Sequence, residues 1–360
     1  MNNLNGNKGE WSELYALLLL LTEAKLYPAN DNLEIENSNF YPITKITTNS
    51  DSENKITYII SSEDDITIQK PQAESVVIKR EVVKKYIERF FEQISAKHIS
   101  KGAFSIPEAK EIMSLLNRET IAAASFQKAD LILDLYDSHL LRNTELGYSI
   151  KSQVGGLSTL FNSSAATNLL YEVENLNGSQ IEEINNLDSC RQRVERIYEL
   201  GGKLSFIDSD NQNFAYNLSL IDSNFIKILA EAVLMFNLTD KRSVSEIAKE
   251  LPKSELNFGS FEHDEDFYKL NFKKFLFNSA LGMVAHKRWN GLITSDGGII
   301  VVKRNGRLAG YNPGSLSKFQ EYLYENTKFD TPSSRNKFGK ITVEDEKIYM
   351  KLNFQIRFKK

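Results

Sequence analysis

The chain has 360 residues, of which 41% are hydrophobic and 26% charged, so it can bury a large core and is neither disordered nor fibrous in composition. Its 44 Lys and Arg against 48 Asp and Glu give a formal net charge of -4, which argues against a protein that coats nucleic acid by bulk positive charge. The single cysteine excludes an internal disulfide, and no signal peptide or apolar run of about 20 residues is present. We therefore expect a cytoplasmic location and no membrane span.

The first elements predict a sheet with a helix before it. Apolar residues spaced three and four apart over Glu10–Lys25 are typical of an amphipathic helix. Phe40–Thr48 and Lys55–Ser61 are rich in Ile, Thr and Tyr, which predicts an antiparallel hairpin, and Ile66–Gln69 predicts a short further strand.

Two helices and two strands are predicted next. The helices cover Val82–Ile94 and Ile106–Asn117, the second with Ser105 as its N-cap. Ala129–Leu135 and Gly147–Lys151 are short extended segments, which we interpret as adjacent strands of one sheet.

The segment Gly155–Val173 is dense in Ser, Thr and Asn yet keeps apolar residues such as Leu169 and Leu170, and we interpret it as a loop followed by the start of a helix. Further helices are predicted over Asn224–Leu238, Ser243–Glu250 and Lys318–Thr327. Two hairpins are predicted, Ile299–Tyr311 with its turn at Asn305-Gly306, and Lys340–Val343 with Ile348–Phe358.

These elements predict an α/β fold, in which a mixed sheet is flanked by helices and the C-terminal half is an elaborated α+β region. We divide the chain into a core at 1–175 and a C-terminal region at 176–360. A single integrated domain is an equally open alternative.

Asp130 and Lys151 carry the main chemical signal. If the two predicted strands are neighbours, the carboxylate and the ammonium meet at one end of the sheet, where the acid binds a cation and the lysine lies against a phosphate and an attacking water. Ser149 points to the same side of the strand as Lys151, and the Ile150 carbonyl is a further oxygen that can face the metal. A structural Asp130–Lys151 ion pair is the alternative.

This pattern resembles the PD-(D/E)xK nuclease superfamily, in which an Asp on one strand is followed by an acid, any residue and Lys on the next. Here the pattern is Asp130 and then Ser149-Ile150-Lys151, so a serine stands where an acid is usual. Three blocks, GEWSELYALL, GYSIKSQVGGLSTLFNSSAATNLLYEV and YLYENTKFDTPSSRNKFGKI with KLNFQIRF, resemble HpaII-type type II restriction endonucleases in matching order.

The resemblance implies a magnesium-dependent enzyme that cleaves a short palindromic site in double-stranded DNA, with CCGG as the specificity of the group's namesake. It also implies a homodimer on DNA, because two strands are cut, and a cognate DNA methyltransferase as partner. The rival readings are a catalytically silent DNA-binding protein, which Ser149 suggests, and a nuclease for RNA or branched DNA.

Family precedent places a replacement acid on the N-terminal helix. We predict Glu13 as this ligand, with Glu10 in reserve. Glu172 and Glu174 are weaker replacements, and two acids compete with Asp130 itself, namely Asp134 and Asp137.

Polar side chains of two blocks are predicted to contact DNA, because short hydroxyls, amides and Arg suit phosphates and base edges. The predicted contacts are Gln153, Ser158, Thr159, Asn162, Ser163, Thr167, Asn168, Arg335, Gln355 and Arg357. Capping and turn formation are the alternative for the first block, although its density of polar side chains favours DNA contact. For Gln355 and Arg357, an edge strand with one solvent-exposed face is an equal alternative. A further basic cluster with an aromatic, His286-Lys287-Arg288-Trp289, has no assigned role.

Overall fold

A computed structural model describes residues 4–30, 34–35, 39–48, 55–61, 63–96, 102–121, 129–137, 142–254, 264–291, 296–311, 316–333, 335 and 338–359. Its helices are α1 Lys8–Glu23, α2 Arg80–Ser95, α3 Ala109–Leu115, α4 Gly178–Asn185, α5 Cys190–Glu199, α6 Gln212–Ser219, α7 Phe225–Leu238, α8 Val244–Glu250, α9 Glu265–Leu281 and α10 Leu316–Asn326. Its strands are β1 Lys25–Leu26, β2 Tyr41–Thr48, β3 Thr57–Ile60, β4 Asp65–Gln69, β5 Val76–Lys79, β6 Leu131–Asp137, β7 Arg142–Ser152, β8 Thr159–Phe161, β9 Leu169–Glu174, β10 Lys203–Ser209, β11 Gly298–Val302, β12 Leu308–Tyr311, β13 Thr327–Asp330, β14 Ile341–Glu344, β15 Lys347–Leu352 and β16 Gln355–Phe358.

The largest sheet has the strand order β12-β11-β7-β6-β2-β3-β4-β5, with β1 paired to β2. The strand β7 lies in its interior, antiparallel to β6 and parallel to β11. The sheet is therefore mixed, and helices pack against it, as α1 does on β7. The predicted fold class is confirmed.

The helix α1 is fixed at both ends and along one face. The side chain of Asn7 accepts hydrogen bonds from the backbone N–H groups of Gly9 and Glu10, and the Glu10 carboxylate accepts one from the Asn7 N–H, which completes a capping box. Within the helix, Ser12 Oγ donates to Ser152 Oγ on β7 at 2.8 Å. This contact holds the N-terminal turns of α1 over the C-terminal end of β7.

The register of β6 against β7 places Leu131 opposite Tyr148, so Asp130 sits just before β6, beside the end of β7. Side chains alternate across a strand. Accordingly, Ile150 is buried in the core with the α1 side chains, while Ser149 and Lys151 lie on the opposite face of β7.

The C-terminal half builds a four-stranded sheet, β10-β9-β15-β14, and a three-stranded sheet, β13-β16-β8. An aromatic cluster joins β8 to the helices, with Phe161 stacked on Phe214 and Phe354 and edge-on to Phe275. The strands β11 and β12 also come from this half, yet they extend the sheet that contains β7. Both predicted ranges therefore contribute strands to one sheet.

Most predicted elements are present, but three details are wrong. Leu169 and Leu170 lie in strand β9 rather than in a helix. Ser105 is not a cap, because α3 begins at Ala109 with Glu108 as its N-cap. The segment Ile348–Phe358 is two strands, β15 and β16, which belong to different sheets. Within the described ranges no helix is both long and apolar enough to cross a membrane.

Candidate active site

Asp130, Ser149 and Lys151 form one hydrogen-bonded chain. The Asp130 Oδ2 atom accepts a bond from the backbone N–H of Ile150 at 2.6 Å and another from Ser149 Oγ at 3.3 Å. Lys151 Nζ donates to Ser149 Oγ at 2.8 Å. The convergence of positions 130 and 151 expected from the sequence is thus present in the structure.

The backbone fixes this arrangement. The Asp130 N–H donates to the Tyr148 carbonyl at 2.8 Å, which continues the β6–β7 ladder by one residue. Because the N–H and C=O of a strand residue point to the same side of the strand, the Ile150 carbonyl faces the side on which Asp130 lies. The Asp130 carboxylate and the Ile150 carbonyl are therefore two oxygen atoms that can bind a cation on the same side of β7.

Ser149 occupies the position of the usual second acid and is only 1% exposed. A hydroxyl has one donor hydrogen and two acceptor lone pairs, so it can donate to Asp130 and accept from Lys151 at the same time. In this structure the serine joins the anion to the cation without adding charge.

Glu13 lies on the wall of the same cleft as Lys151 and Ile150. The cleft has a volume of about 600 Å³ and is also lined by Lys8. Glu10, the reserve candidate, is instead engaged in the cap of α1, where its carboxylate accepts from Asn7 at 2.7 Å. Of the two acids, Glu13 is among the residues that line this cleft and Glu10 is not.

The competing acids are engaged elsewhere. Asp134 lies 3.4 Å from Lys45 Nζ, and Glu172 lies 3.4 Å from Lys347 Nζ. Glu174 accepts from Ser205 Oγ at 2.6 Å. The side chain of Asp137 lies outside the described residues.

The donors fit a small, hard cation. Among the described residues no group of three or more His, Cys, Asp and Glu side chains is placed to hold a metal ion. Magnesium, however, is commonly held by one or two carboxylates, with water completing its shell. Asp130 and the Ile150 carbonyl offer oxygen ligands of that kind, and Glu13 is a carboxylate on the wall of the cleft that Ile150 also lines.

Several predicted DNA contacts line this cleft. They are Ser158, Thr159, Asn162 and Arg357. The Arg357 guanidinium is held from both sides, by Thr159 Oγ1 at 3.3 Å and by Asp330 Oδ2 at 3.3 Å. Ser158 also braces the chain, since its hydroxyl donates to the Ser152 carbonyl at 2.6 Å.

Other predicted contacts lie away from the cleft. Thr167 and Asn168 are 0% and 2% exposed, and both are hydrogen-bonded to Asn353. Their side chains stabilise the turn before β9, and their contact with DNA stays a prediction. Gln355 Nε2 donates to the Thr331 carbonyl at 2.9 Å.

The remaining predicted contacts are more accessible. Arg335 is exposed, Ser163 is half-buried, and Gln153 lines a smaller cavity that shares Lys151 with the cleft.

Sequence reasoning missed Lys8, the first residue of α1, which lines the cleft. Its Nζ donates to the Ala96 carbonyl at 3.2 Å. No pattern in the sequence singles out Lys8, because its place in the cleft depends on how α1 packs against β7.

Comparisons with known proteins give the family of the chain. A sequence model of the HpaII restriction endonuclease family matches residues 7–358. The chain is also 33% identical over 368 aligned positions to the type II restriction enzyme HpaII of Haemophilus parainfluenzae, covering 98% of each protein. The chain belongs to the HpaII restriction endonuclease family. It is a type II restriction endonuclease, a deoxyribonuclease, and the resemblance expected from the sequence blocks is confirmed. No solved structure matches the chain.

Proposed function

We propose that Asp130, Lys151 and Glu13 form the catalytic centre of this endonuclease and hydrolyse a phosphodiester bond of duplex DNA with magnesium. One observation carries the proposal: the hydrogen-bonded chain from Asp130 through Ser149 to Lys151 ends in the cleft that Glu13 also lines. The hydrogen-bonded chain supplies an anion and a cation, and the wall of the cleft supplies a second carboxylate, which together are the groups that phosphodiester hydrolysis needs.

The metal would be held by Asp130, Glu13 and the Ile150 carbonyl. Bound there, magnesium would polarise the scissile phosphate and lower the pKa of a coordinated water. The carboxylates, in turn, are held in place by the protein. Asp130 is oriented by the N–H of Ile150 and the hydroxyl of Ser149, so its ligand geometry is set before DNA arrives.

Lys151 would offset negative charge as the attacking water loses its proton and the phosphate gains charge. Its ammonium is positioned by Ser149 at 2.8 Å, so the serine takes over the orienting part of the missing acid's role but not its charge. Glu13 supplies that charge from α1.

Duplex DNA would enter the cleft against β8, β16 and the loop between β7 and β8. Arg357 is the best-placed cation for a guanine edge or a phosphate, because Thr159 and Asp330 fix its guanidinium plane. Asn162 is exposed at the same wall and has the two-sided hydrogen bonding of an amide. Gln153, Ser158, Thr159 and Ser163 complete this face, with Arg335 and Gln355 at its margin.

Three further proposals rest on membership of the family. The recognition sequence is a short palindrome, with CCGG as the first to test. Two copies of the chain act at one site, because each copy has a single candidate centre and two strands must be cut. A cognate methyltransferase protects the host DNA in the cytoplasm.

The decisive experiment is digestion of plasmid by the purified protein with magnesium, followed by sequencing of the fragment ends. We expect discrete fragments with identical ends, no cleavage with EDTA, and retained binding but no cleavage in calcium. Asp130→Ala and Lys151→Ala should each lower the single-turnover rate at least about a thousandfold, while specific binding in calcium stays within about threefold of wild type. Normal cutting by either variant would show that the centre lies elsewhere.

A further inference from the structure

The basic segment His286–Arg288 is held rigidly at the surface by a buried asparagine. The Nδ2 group of Asn217 donates to the carbonyls of Val284 and Lys287, both at 2.9 Å, and its Oδ1 accepts from the Trp289 N–H at 2.8 Å. Asn217 is 0% exposed. One buried amide therefore makes three hydrogen bonds to the backbone of this short turn.

The turn that Asn217 holds carries two exposed cationic side chains. Lys287 and Arg288 both face solvent, and Arg288 lies over the ring of Tyr216, 3.9 Å from its centroid. Stacking on an aromatic ring orients a guanidinium while leaving its edge free to bind an anion. Within the described part of the chain, neither residue forms a salt bridge with a carboxylate. The cations are thus fixed in position without an acidic partner there.

A chain of contacts connects this turn to the cleft. Asn162 lines the cleft and follows Phe161, whose ring is stacked on Phe214 of α6 at a centroid distance of 5.8 Å. The neighbouring residue on α6, Asn213, donates from Nδ2 to the His286 carbonyl at 3.3 Å. The turn and the segment that carries Asn162 therefore pack against the same helix, α6, the turn through Asn213 and the segment through Phe161.

We propose that Lys287 and Arg288 bind backbone phosphates of the duplex outside the recognition sequence. This inference rests on the proposed DNA-binding face of the cleft. Duplex DNA advances 3.4 Å per base pair, so a molecule seated in the cleft continues past its walls. That continuation passes Lys287 and Arg288, the exposed cations of the turn that packs against α6. The binding is independent of base sequence, because a phosphate offers charge rather than a base-edge pattern.

The test compares Lys287→Ala/Arg288→Ala with Lys84→Ala/Lys85→Ala, which removes the same charge from two exposed lysines near the start of α2. The start of α2 follows β5, an edge strand of the large sheet. Five strand spacings of about 4.8 Å separate β5 from β7, which is roughly 24 Å. Dissociation constants are measured in calcium at several salt concentrations, on a duplex of about 24 base pairs and on one of about 8, each with the cleavage site at its centre.

For the Lys287/Arg288 variant we expect about tenfold weaker binding of the long duplex and a salt slope lower by about 1.8, which is two contacts at about 0.9 each. The short duplex should bind as it does to wild type, and the charge-conserving variant Arg288→Lys should bind the long duplex normally. The inference would be overturned if the Lys287/Arg288 variant bound the long duplex with wild-type affinity and salt slope, or if it weakened binding of both duplexes equally. It would also be overturned if the Lys84/Lys85 control weakened binding of the long duplex as much. If wild type itself neither binds nor cuts DNA, the proposed function fails instead.

Discussion

Lys151 Nζ lies 2.8 Å from the hydroxyl of Ser149, the residue that stands where the superfamily pattern has an acid. The contact means that the serine still positions the lysine. It follows that Ser149→Ala removes an orienting bond and leaves the ammonium itself in place. We expect the single-turnover cleavage rate to fall about tenfold, with the dissociation constant for DNA in calcium unchanged. A variant that cuts at the wild-type rate would show that this bond has no part in catalysis.

Glu13 and Glu10 provide a matched pair on one helix. Glu13→Gln removes a proposed ligand charge from the cleft, so we expect cleavage to fall about a hundredfold and to recover partly at raised magnesium. Glu10→Gln instead weakens the cap of α1, which should lower the free energy of unfolding by about 0.5 kcal/mol and leave cleavage unchanged. The measurements are rate against magnesium concentration and thermal unfolding. The reverse pattern would exchange the roles of the two acids.

Arg357 is expected to contribute to binding rather than to bond cleavage. Arg357→Ala should weaken binding of the cognate duplex by about 1–3 kcal/mol, or roughly fivefold to 150-fold, if the guanidinium reads a guanine, with a smaller effect on unrelated duplex. Equal weakening on both duplexes would assign it to a phosphate. Lys84→Ala, which removes one positive charge from an exposed position on α2 outside the proposed DNA-binding face, is the control. Affinity on the two duplexes in calcium separates these outcomes.

The strands that carry the site could be predicted because their signal is local. Alternation of apolar and polar residues fixes which side chains of Gly147–Lys151 share a face, and Asp130 follows from the adjacent strand. The position of Glu13 could not be derived in this way. It depends on how α1 packs against β7, and the hydrogen bond between Ser12 and Ser152 joins these two elements although they are far apart in the sequence.

The wrong helix prediction at Leu169-Leu170 has a physical cause. A short apolar run does not distinguish a buried strand from a helix, and only its pairing with β10 and β15 makes it a strand. The burial of Thr167 and Asn168 could not be predicted either, because both bond to Asn353, a partner that no local pattern reveals.

Acid should weaken one ion-pair cluster in the C-terminal half. Burial raises the pKa of the Glu321 carboxyl, but its bonds to Lys273 and Lys269 outweigh burial and hold that pKa below its usual value. A pKa that is lower in the folded state means that the stabilisation is full above the unfolded pKa and is lost as pH falls through the folded one.

We therefore expect Glu321→Gln to lower the melting temperature by about 1–3 °C at pH 7, a small effect because the pair is partly exposed. The difference should disappear well below pH 4, where wild type has lost the same charge. Glu88 is an exposed glutamate on α2, and Glu88→Gln is the control, which should leave the melting temperature unchanged at both pH values. A difference that persists in acid would mean that packing, not charge, is responsible.

Gly297 sets the spacing between β11 and the strand that bears the site. A Cβ built there would come within 2.5 Å of the Tyr148 ring, and that ring is fully buried. Tyr148 directly precedes Ser149, so Gly297→Ala must either displace the ring or separate β11 from β7. We expect a loss of about 1–3 kcal/mol in the free energy of unfolding, together with slower cleavage at a temperature where the variant is folded. Gly178→Ala, where a Cβ meets nothing within 4 Å, should leave both unchanged. Denaturant unfolding and single-turnover rates test this, and a stable, fully active Gly297→Ala enzyme would show that the two strands tolerate a wider spacing.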